Sequence, residues 1–511
     1  MQEAKRLHAH IVASGLHQQE LYLRKLITLY AVPNSSSLTN SRLLFDRIEH
    51  PSTFIYNTMI RAYAASSDPY QALHLYTQMR RHGPPLDNYT FPFLLKACSS
   101  LSDLTKGEEI HCQAFKHGFD SNIFVQNSLI YFYGSNGRIK TARRVFDEMG
   151  IRDVATWTTL VTCYASFCPI ESARRVFDKM PNRSVVSFSA MIAGYVRRSM
   201  FKEALELFSE MLTLKMEPND STIMSVIGAC ANLGALDMGR WIYLYIFQRK
   251  GNNNQFDSRI TTALIDMFFK CGSIKTAVKV FEGAKEKYVG EWTAMISGLA
   301  MHGLGEQLIE AFEHMVGSGV RPNGITFVSL LSGCTHSGLV NEGLCYFDRM
   351  KRDFGIEPTI EHFGCVVDLL GRAGLIDQAM QFIWEMPIEA NAAIWGALLN
   401  ACRVYKNVEV GEVAARWLIN DEPWNGAIYM ALLGLYREAG RWDEVDKVKG
   451  EMKKVGCRKS PGCSLIEVNG ACYEFVVGDK SHLCAVEVCL NLSKIILEFK
   501  ENKYILQDPK L

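Results

Sequence analysis

The amino-acid sequence predicts an all-α chain, a solenoid of helix-turn-helix repeats closed by a short C-terminal extension that contains a β-hairpin. Three observations carry this. One sequence block recurs at intervals of 31 to 38 residues, the range in which each unit buries its apolar face only against its neighbours. Inside each block apolar residues recur at spacings of three and four, one face of a helix, and strand-like alternation is absent before about residue 464. Breakers such as Gly83-Pro84-Pro85, Pro181-Asn182, Pro218-Asn219 and Pro322-Asn323 close the second helix of a block.

The register runs through nearly the whole chain. The equivalent positions are Arg24, Asn57, Pro92, Asn127, Thr158, Ser189, Met224, Thr262, Thr293, Val328, Gly364 and Gly396. Residues 1–19 read as the tail of a block already under way. Blocks then span 20–52, 53–87, 88–122, 123–153, 154–184, 185–219, 220–257, 258–288, 289–323, 324–359 and 360–391. Residues 392–459 keep a repeat-like pattern, and 460–511 form the extension, where alternating segments 464–468 and 472–476 flank Asn469-Gly470, a two-residue hairpin turn. First helices carry the equivalent position, as in Tyr56-Asn57-Thr58-Met59-Ile60. Second helices carry a stripe such as Ala142/Phe146/Met149, Ala173/Phe177/Met180 and Ala204/Phe208/Met211, spaced as core rather than as a ligand box.

Composition narrows the function. The chain is 48% hydrophobic, yet no run is long and apolar enough to span a bilayer, and no membrane partner is expected. Its 511 residues contain no Ser/Gly-rich linker, which suits a solenoid better than separate globular domains. Lys plus Arg is 55 and Asp plus Glu is 54, so the net charge of +1 predicts modest nonspecific affinity for a polyanion. Most of the 15 cysteines, including Cys98, Cys230, Cys334 and Cys402, fall at repeat-equivalent positions and read as small buried residues. No Cys-x-x-Cys pair, phosphate-binding loop or Gly-x-Ser-x-Gly elbow occurs, and neither enzyme activity nor a metal or other cofactor is expected.

What stands out is polarity where an apolar stretch should continue. Asn57, Asn127, Thr158, Ser189, Thr262 and Thr293 share one register, each inside an otherwise apolar first helix. One such residue alone reads as a helix cap; a row of them reads as a set of contacts.

These blocks resemble the pentatricopeptide repeat family. Their alternating lengths resemble the P-L-S triplets of plant organelle proteins, with S-type blocks 20–52, 123–153, 154–184, 258–288 and 360–391, P-type 53–87, 185–219 and 289–323, and L-type 88–122, 220–257 and 324–359. Residues 1–19 resemble a partial L-type repeat. Ala97-Cys98, Ala229-Cys230 and Gly333-Cys334 mark the L-type blocks. Further on, Gly440-Arg441-Trp442, Ser460-Pro461-Gly462 and Gly478-Asp479-Lys480 resemble the E and E-plus segments of the RNA-editing subgroup, E-type over 392–459 and E-plus-like over 460–511. The resemblance implies a right-handed superhelix that reads single-stranded RNA, one base per repeat, through two side chains.

It also implies the second reading residue, 26 or 30 positions after the first. Those residues are Asp87, Asp153, Ser184, Asn219, Tyr288, Asn323 and Asn391. Asn57/Asp87 and Asn127/Asp153 then resemble uracil readers, Ser189/Asn219 and Thr293/Asn323 adenine readers, and Thr158/Ser184 a purine reader. Thr262/Tyr288, Gly364/Asn391 and Arg24/Ser52 depart from the family's pattern. Pro92, Met224 and Val328 have no side-chain hydrogen-bonding group and are expected to space rather than read.

The function implied is that of a specificity factor for C-to-U editing of a transcript in the mitochondrion or the chloroplast. The zinc deaminase domain of the family's longest members does not follow residue 511, so the expected partners are organellar single-stranded RNA, a deaminase-domain protein acting in trans and other editing factors. No transit peptide is visible within these 511 residues. A factor for RNA stability, splicing or translation is the alternative, and a protein-binding scaffold a third reading.

Overall fold

The computed structural model describes residues 6, 9–11, 13–14, 20–31, 35–250, 257–456, 463–468 and 471–476. The chain divides into two compact units, Met1–Gly298 and Leu299–Leu511.

The first unit is built from antiparallel helix pairs. They are Glu20–Tyr30 with Ser35–Phe45, Thr53–Ala64 with Tyr70–His82, Thr90–Leu101 with Leu104–Lys116, and Ile123–Ser135 with Ile139–Glu148. Val154–Phe167 with Ile170–Asp178, Val185–Arg197 with Phe201–Thr213, Asp220–Leu233 with Leu236–Lys250, and Ser258–Lys270 with Ile274–Gly283 follow. Helix Val289–Met301 begins in this unit. The second unit continues with Gly305–Gly317, then pairs Gly324–Ser337 with Val340–Arg352 and Ile360–Arg372 with Ile376–Glu385. Ala392–Tyr405 with Val408–Asp421 and Gly426–Glu438 with Trp442–Val455 complete its helices. Within each unit, contacting helices are consecutive or next-but-one in the chain. That is the contact pattern of a repeat stack, in which each unit rests only on its neighbours.

The predicted stripe forms the core. Ala142, Phe146, Met149, Ala173, Phe177, Met180, Ala204, Phe208 and Met211 are all buried. First helices of successive blocks approach so closely that small residues are required between them. A Cβ on Gly298 would lie 2.0 Å from the Phe269 ring, and where the second helix Leu104–Lys116 meets the next first helix, one on Gly107 would lie 1.9 Å from Phe132. Cysteine serves the same end: Cys98, Cys163, Cys230, Cys334 and Cys402 are buried, and burial pushes each thiol up to about 12.

The predicted hairpin is present in the second unit. Strand Cys463–Val468 pairs antiparallel with Ala471–Val476, with Val468 opposite Ala471. The predicted turn Asn469-Gly470, most of the N-terminal partial repeat and residues 460–462 and 477–511 of the extension lie outside the described residues.

Candidate nucleic-acid interface

The row of polar residues is positioned from behind. In several blocks the residue immediately before the equivalent position is a buried or half-buried aromatic, and a ring from the preceding second helix meets it edge to face. Phe45 packs on Tyr56 at 5.1 Å, Phe146 on Trp157 at 4.8 Å, Phe177 on Phe188 at 5.1 Å, and Phe281 on Trp292 at 4.7 Å. In the second unit Phe312 meets Phe327 at 5.4 Å and Phe347 meets Phe363 at 5.5 Å. Such contacts fix the rotation of the first helix about its axis, and with it the direction of the next side chain.

The pairs differ in how closely they meet. Asn57 Nδ2 donates to Asp87 Oδ1 at 2.8 Å, while Asn57 Oδ1 is buried and accepts no hydrogen bond. Ser189 Oγ lies 3.3 Å from Asn219 Oδ1 and donates to the Val185 carbonyl at 2.7 Å. Arg24 Nη2 reaches Ser52 Oγ at 3.4 Å, and its guanidinium sits 5.4 Å from the Phe54 ring centre. Asn127 Oδ1 is also buried without a partner, and Asp153 turns instead to Thr156. Thr158 and Thr293 each return the hydroxyl proton to the carbonyl four residues back, at 2.7 Å. No hydrogen bond joins Thr158 to Ser184. None joins Thr262 to Tyr288 either, whose hydroxyl donates to Glu286 while Gly290 backs Thr262. Gly364 brings no side chain to Asn391, which is exposed.

The second residues share a further role: they start helices. Asp153, Ser184, Asn219, Asn323 and Asn391 are N-caps, and each side chain accepts from a backbone N–H, at 2.7, 3.3, 2.9, 2.9 and 3.2 Å respectively. Asp87 does likewise for Tyr89 and Thr90 at 3.0 Å. Tyr288 cannot; there the direction reverses, and Tyr288 N donates to the buried Glu291 carboxylate at 3.1 Å.

Comparison with known proteins decides the family. Residues 51–100 and 183–232 match the PPR repeat family, 310–372 the pentatricopeptide repeat domain, and 127–154, 155–185, 260–289 and 292–320 the PPR repeat. Residues 405–467 match the E motif. The chain is 44% identical over 482 residues to the Arabidopsis thaliana pentatricopeptide repeat-containing protein At5g66520, covering 94% of this chain and 77% of that one. The chain belongs to the pentatricopeptide repeat family. Its repeats and E motif fit the E subgroup of PLS-type members. The Arabidopsis thaliana pentatricopeptide repeat-containing protein At1g59720, chloroplastic/mitochondrial, is 39% identical and is matched over 73% of its length by 94% of this chain. Among solved structures, the pentatricopeptide repeat protein PPR10 in complex with an 18-nt psaJ RNA element aligns with 86% of this chain and 75% of its own, at 16% identity and a TM-score of 0.45.

One set of residues in these pentatricopeptide repeats escaped the sequence reading. Three positions after five of the seven second residues stands a buried hydroxyl: Thr90, Thr156, Ser187, Thr222 and Thr326. Thr222 Oγ1 bridges Asn219 Oδ1 at 3.0 Å and Ser189 Oγ at 2.5 Å, so it joins both members of that pair. The signal was in the sequence as a Ser or Thr at the third position after a cap, the spacing of a capping box.

Proposed function

We propose that this chain is a sequence-specific single-stranded RNA-binding protein that acts as the specificity factor for C-to-U editing of an organellar transcript, with a deaminase-domain protein supplied in trans. The observation that carries the RNA reading is the Asn57–Asp87 pair. Its amide is held by a carboxylate while one carbonyl oxygen, Oδ1, is buried and unused. A buried acceptor left unpaired costs about 1–3 kcal/mol, and a base edge that donates an N–H would recover it. Asn127 Oδ1 stands in the same condition. The E motif at 405–467 favours editing over RNA stabilisation, splicing or translation. That PPR10 was crystallised with an RNA element, and that one relative is designated chloroplastic/mitochondrial, agree with an RNA ligand in an organelle.

The base order proposed, from 5′ to 3′ along blocks 20–52 to 360–391, is x-U-x-U-R-A-x-x-A-x-x. In fluorescence anisotropy, changing both A sites to C weakens binding by about 5- to 150-fold per site, the value of a lost bidentate contact of about 1–3 kcal/mol. Equal affinity for the two RNAs overturns the assignment. The editing role is tested separately, by sequencing organellar RNA from a null line: loss of C-to-U conversion at a defined site supports it, and intact editing with altered splicing replaces it.

A further inference from the structure

The L-type block 88–122 carries Pro92 at the equivalent position and so offers no hydrogen bond to a base. Beside Pro92, however, a cleft of about 490 Å³ opens between helices Thr90–Leu101 and Ile123–Ser135. Lys96, Ser99, Ser128, Tyr131 and Thr159 line it, with Asn127 at its edge of the reading row.

Two features of this cleft point to one ligand chemistry. The first is charge. Lys96 lies one helical turn beyond Pro92, is exposed and makes no ion pair among the described residues; Glu109 of the same block is taken up by Arg80 at 3.6 Å and Lys106 at 2.6 Å. Arg61, its counterpart in the preceding block, is likewise exposed and outside every ion pair among the described residues. Further along the same register the charged positions are acidic and already neutralised, Asp266 by Lys270 at 2.8 Å in the first unit and Asp368 by Arg372 at 3.0 Å in the second, and the others carry no charge. The second feature is the direction of the hydroxyl protons. Ser99, Ser128 and Thr159 donate to the carbonyls of Leu95, Phe124 and Ala155 at 2.9, 2.8 and 2.9 Å, so each keeps lone pairs free to accept. A cation beside a group of acceptors suits a ligand that joins an anion to a hydroxyl donor.

We infer that this cleft binds the sugar–phosphate backbone of the RNA as it passes the L-type block, Lys96 holding a phosphodiester and the neighbouring hydroxyls accepting from a ribose 2′-OH. Asn127 Oδ1 is left for the adjoining base. The inference rests on the RNA-binding reading above and adds to it a contact that is blind to base identity but sensitive to the sugar.

The test uses the full chain and the RNA of the proposed order. Lys96→Gln lowers affinity about three- to tenfold and reduces the slope of log K against log salt by about 0.7, the share of one phosphate on a single strand. Lys96→Arg restores the slope, and the penalty for changing the base facing Asn127 is the same in wild type and Lys96→Gln. In wild type, one 2′-deoxy nucleotide facing block 88–122 weakens binding, whereas one facing block 324–359 does not. Unchanged affinity and slope in Lys96→Gln, or equal tolerance of the two deoxy substitutions, overturns the inference while leaving base-specific binding in place. A wild-type chain that binds no RNA removes both.

Discussion

Each polar residue of the row is held to a different degree before any ligand arrives. Asn57 keeps a buried oxygen in reserve, whereas Ser189 gives its one hydroxyl proton to the Val185 carbonyl at 2.7 Å and lies 2.5 Å from Thr222 Oγ1, from which it can accept. Thr222 is the residue on which that second site turns, because its hydroxyl touches both Ser189 and Asn219 inside a buried environment. Thr222→Val keeps the shape and removes the hydroxyl. It is expected to cost about 1–3 kcal/mol, since the buried Ser189 hydroxyl loses a partner while Asn219 Oδ1 keeps the Thr222 N–H. Faster amide exchange in helix Asp220–Leu233 measures this, and exchange at the wild-type rate would show that the bridge contributes nothing. These details were only partly readable from sequence. Asn57 and Asp87 could be matched because each recurs at a fixed place in its block. Thr222 could not be recognised as a member of the site, because nothing in a linear pattern says which side chain a hydroxyl meets across two helices. From sequence Pro92 reads as a spacer for the same reason: its own chemistry is empty, and the cleft beside it is made by other residues.

Between elements, the contacts that join one block to the next include a histidine. His362 is buried at the start of helix Ile360–Arg372; its Nε2 donates to the Gly324 carbonyl at 2.9 Å and its Nδ1 accepts from Thr359 N at 3.1 Å. The ring is therefore neutral, and burial lowers its pKa below the ordinary histidine value of 6.5, although the bond to Gly324 opposes this. The unfolded chain takes up the proton first, so the stability held by this contact is complete above pH 6.5 and falls as the pH drops below it. His111, which meets the Tyr133 hydroxyl at 2.9 Å and is also shifted down by burial, adds in the same direction. Melting curves between about pH 7.5 and 5 should show a falling Tm that is shallower in His362→Gln. An identical pH dependence in the variant would exclude His362 as a source. At this scale the sequence was most legible: the stripe Ala142/Phe146/Met149 and its counterparts marked the second helices, because core positions recur with the repeat. The aromatic anchors Tyr56, Trp157, Phe188 and Trp292 were visible as apolar residues, but their edge-to-face partners belong to a different block and became evident only in the fold.

For the whole molecule, the decisive feature is that helices touch only those one or two places away in the chain within each unit. Contacts are local, so damage stays local. Leu432 is fully buried in helix Gly426–Glu438, and Leu432→Ala is expected to remove about 2–5 kcal/mol from its surroundings. Hydrogen exchange should rise across Ala392–Tyr405 to Trp442–Val455 and remain unchanged in the first unit; a uniform rise through the chain would contradict this. One consequence of the caps described above reaches further. On the reading proposed, the last residue of a block both discriminates a base and starts the helix that follows. Asp, Asn and Ser satisfy both demands, and they are the residues found at 87, 153, 184, 219, 323 and 391. The vocabulary for naming bases is thus drawn from the vocabulary for beginning helices. Exchanges within it can change the target while the fold stands, and a residue outside it gives up the cap, as Tyr288 does, where only the reciprocal bond from Tyr288 N to Glu291 remains.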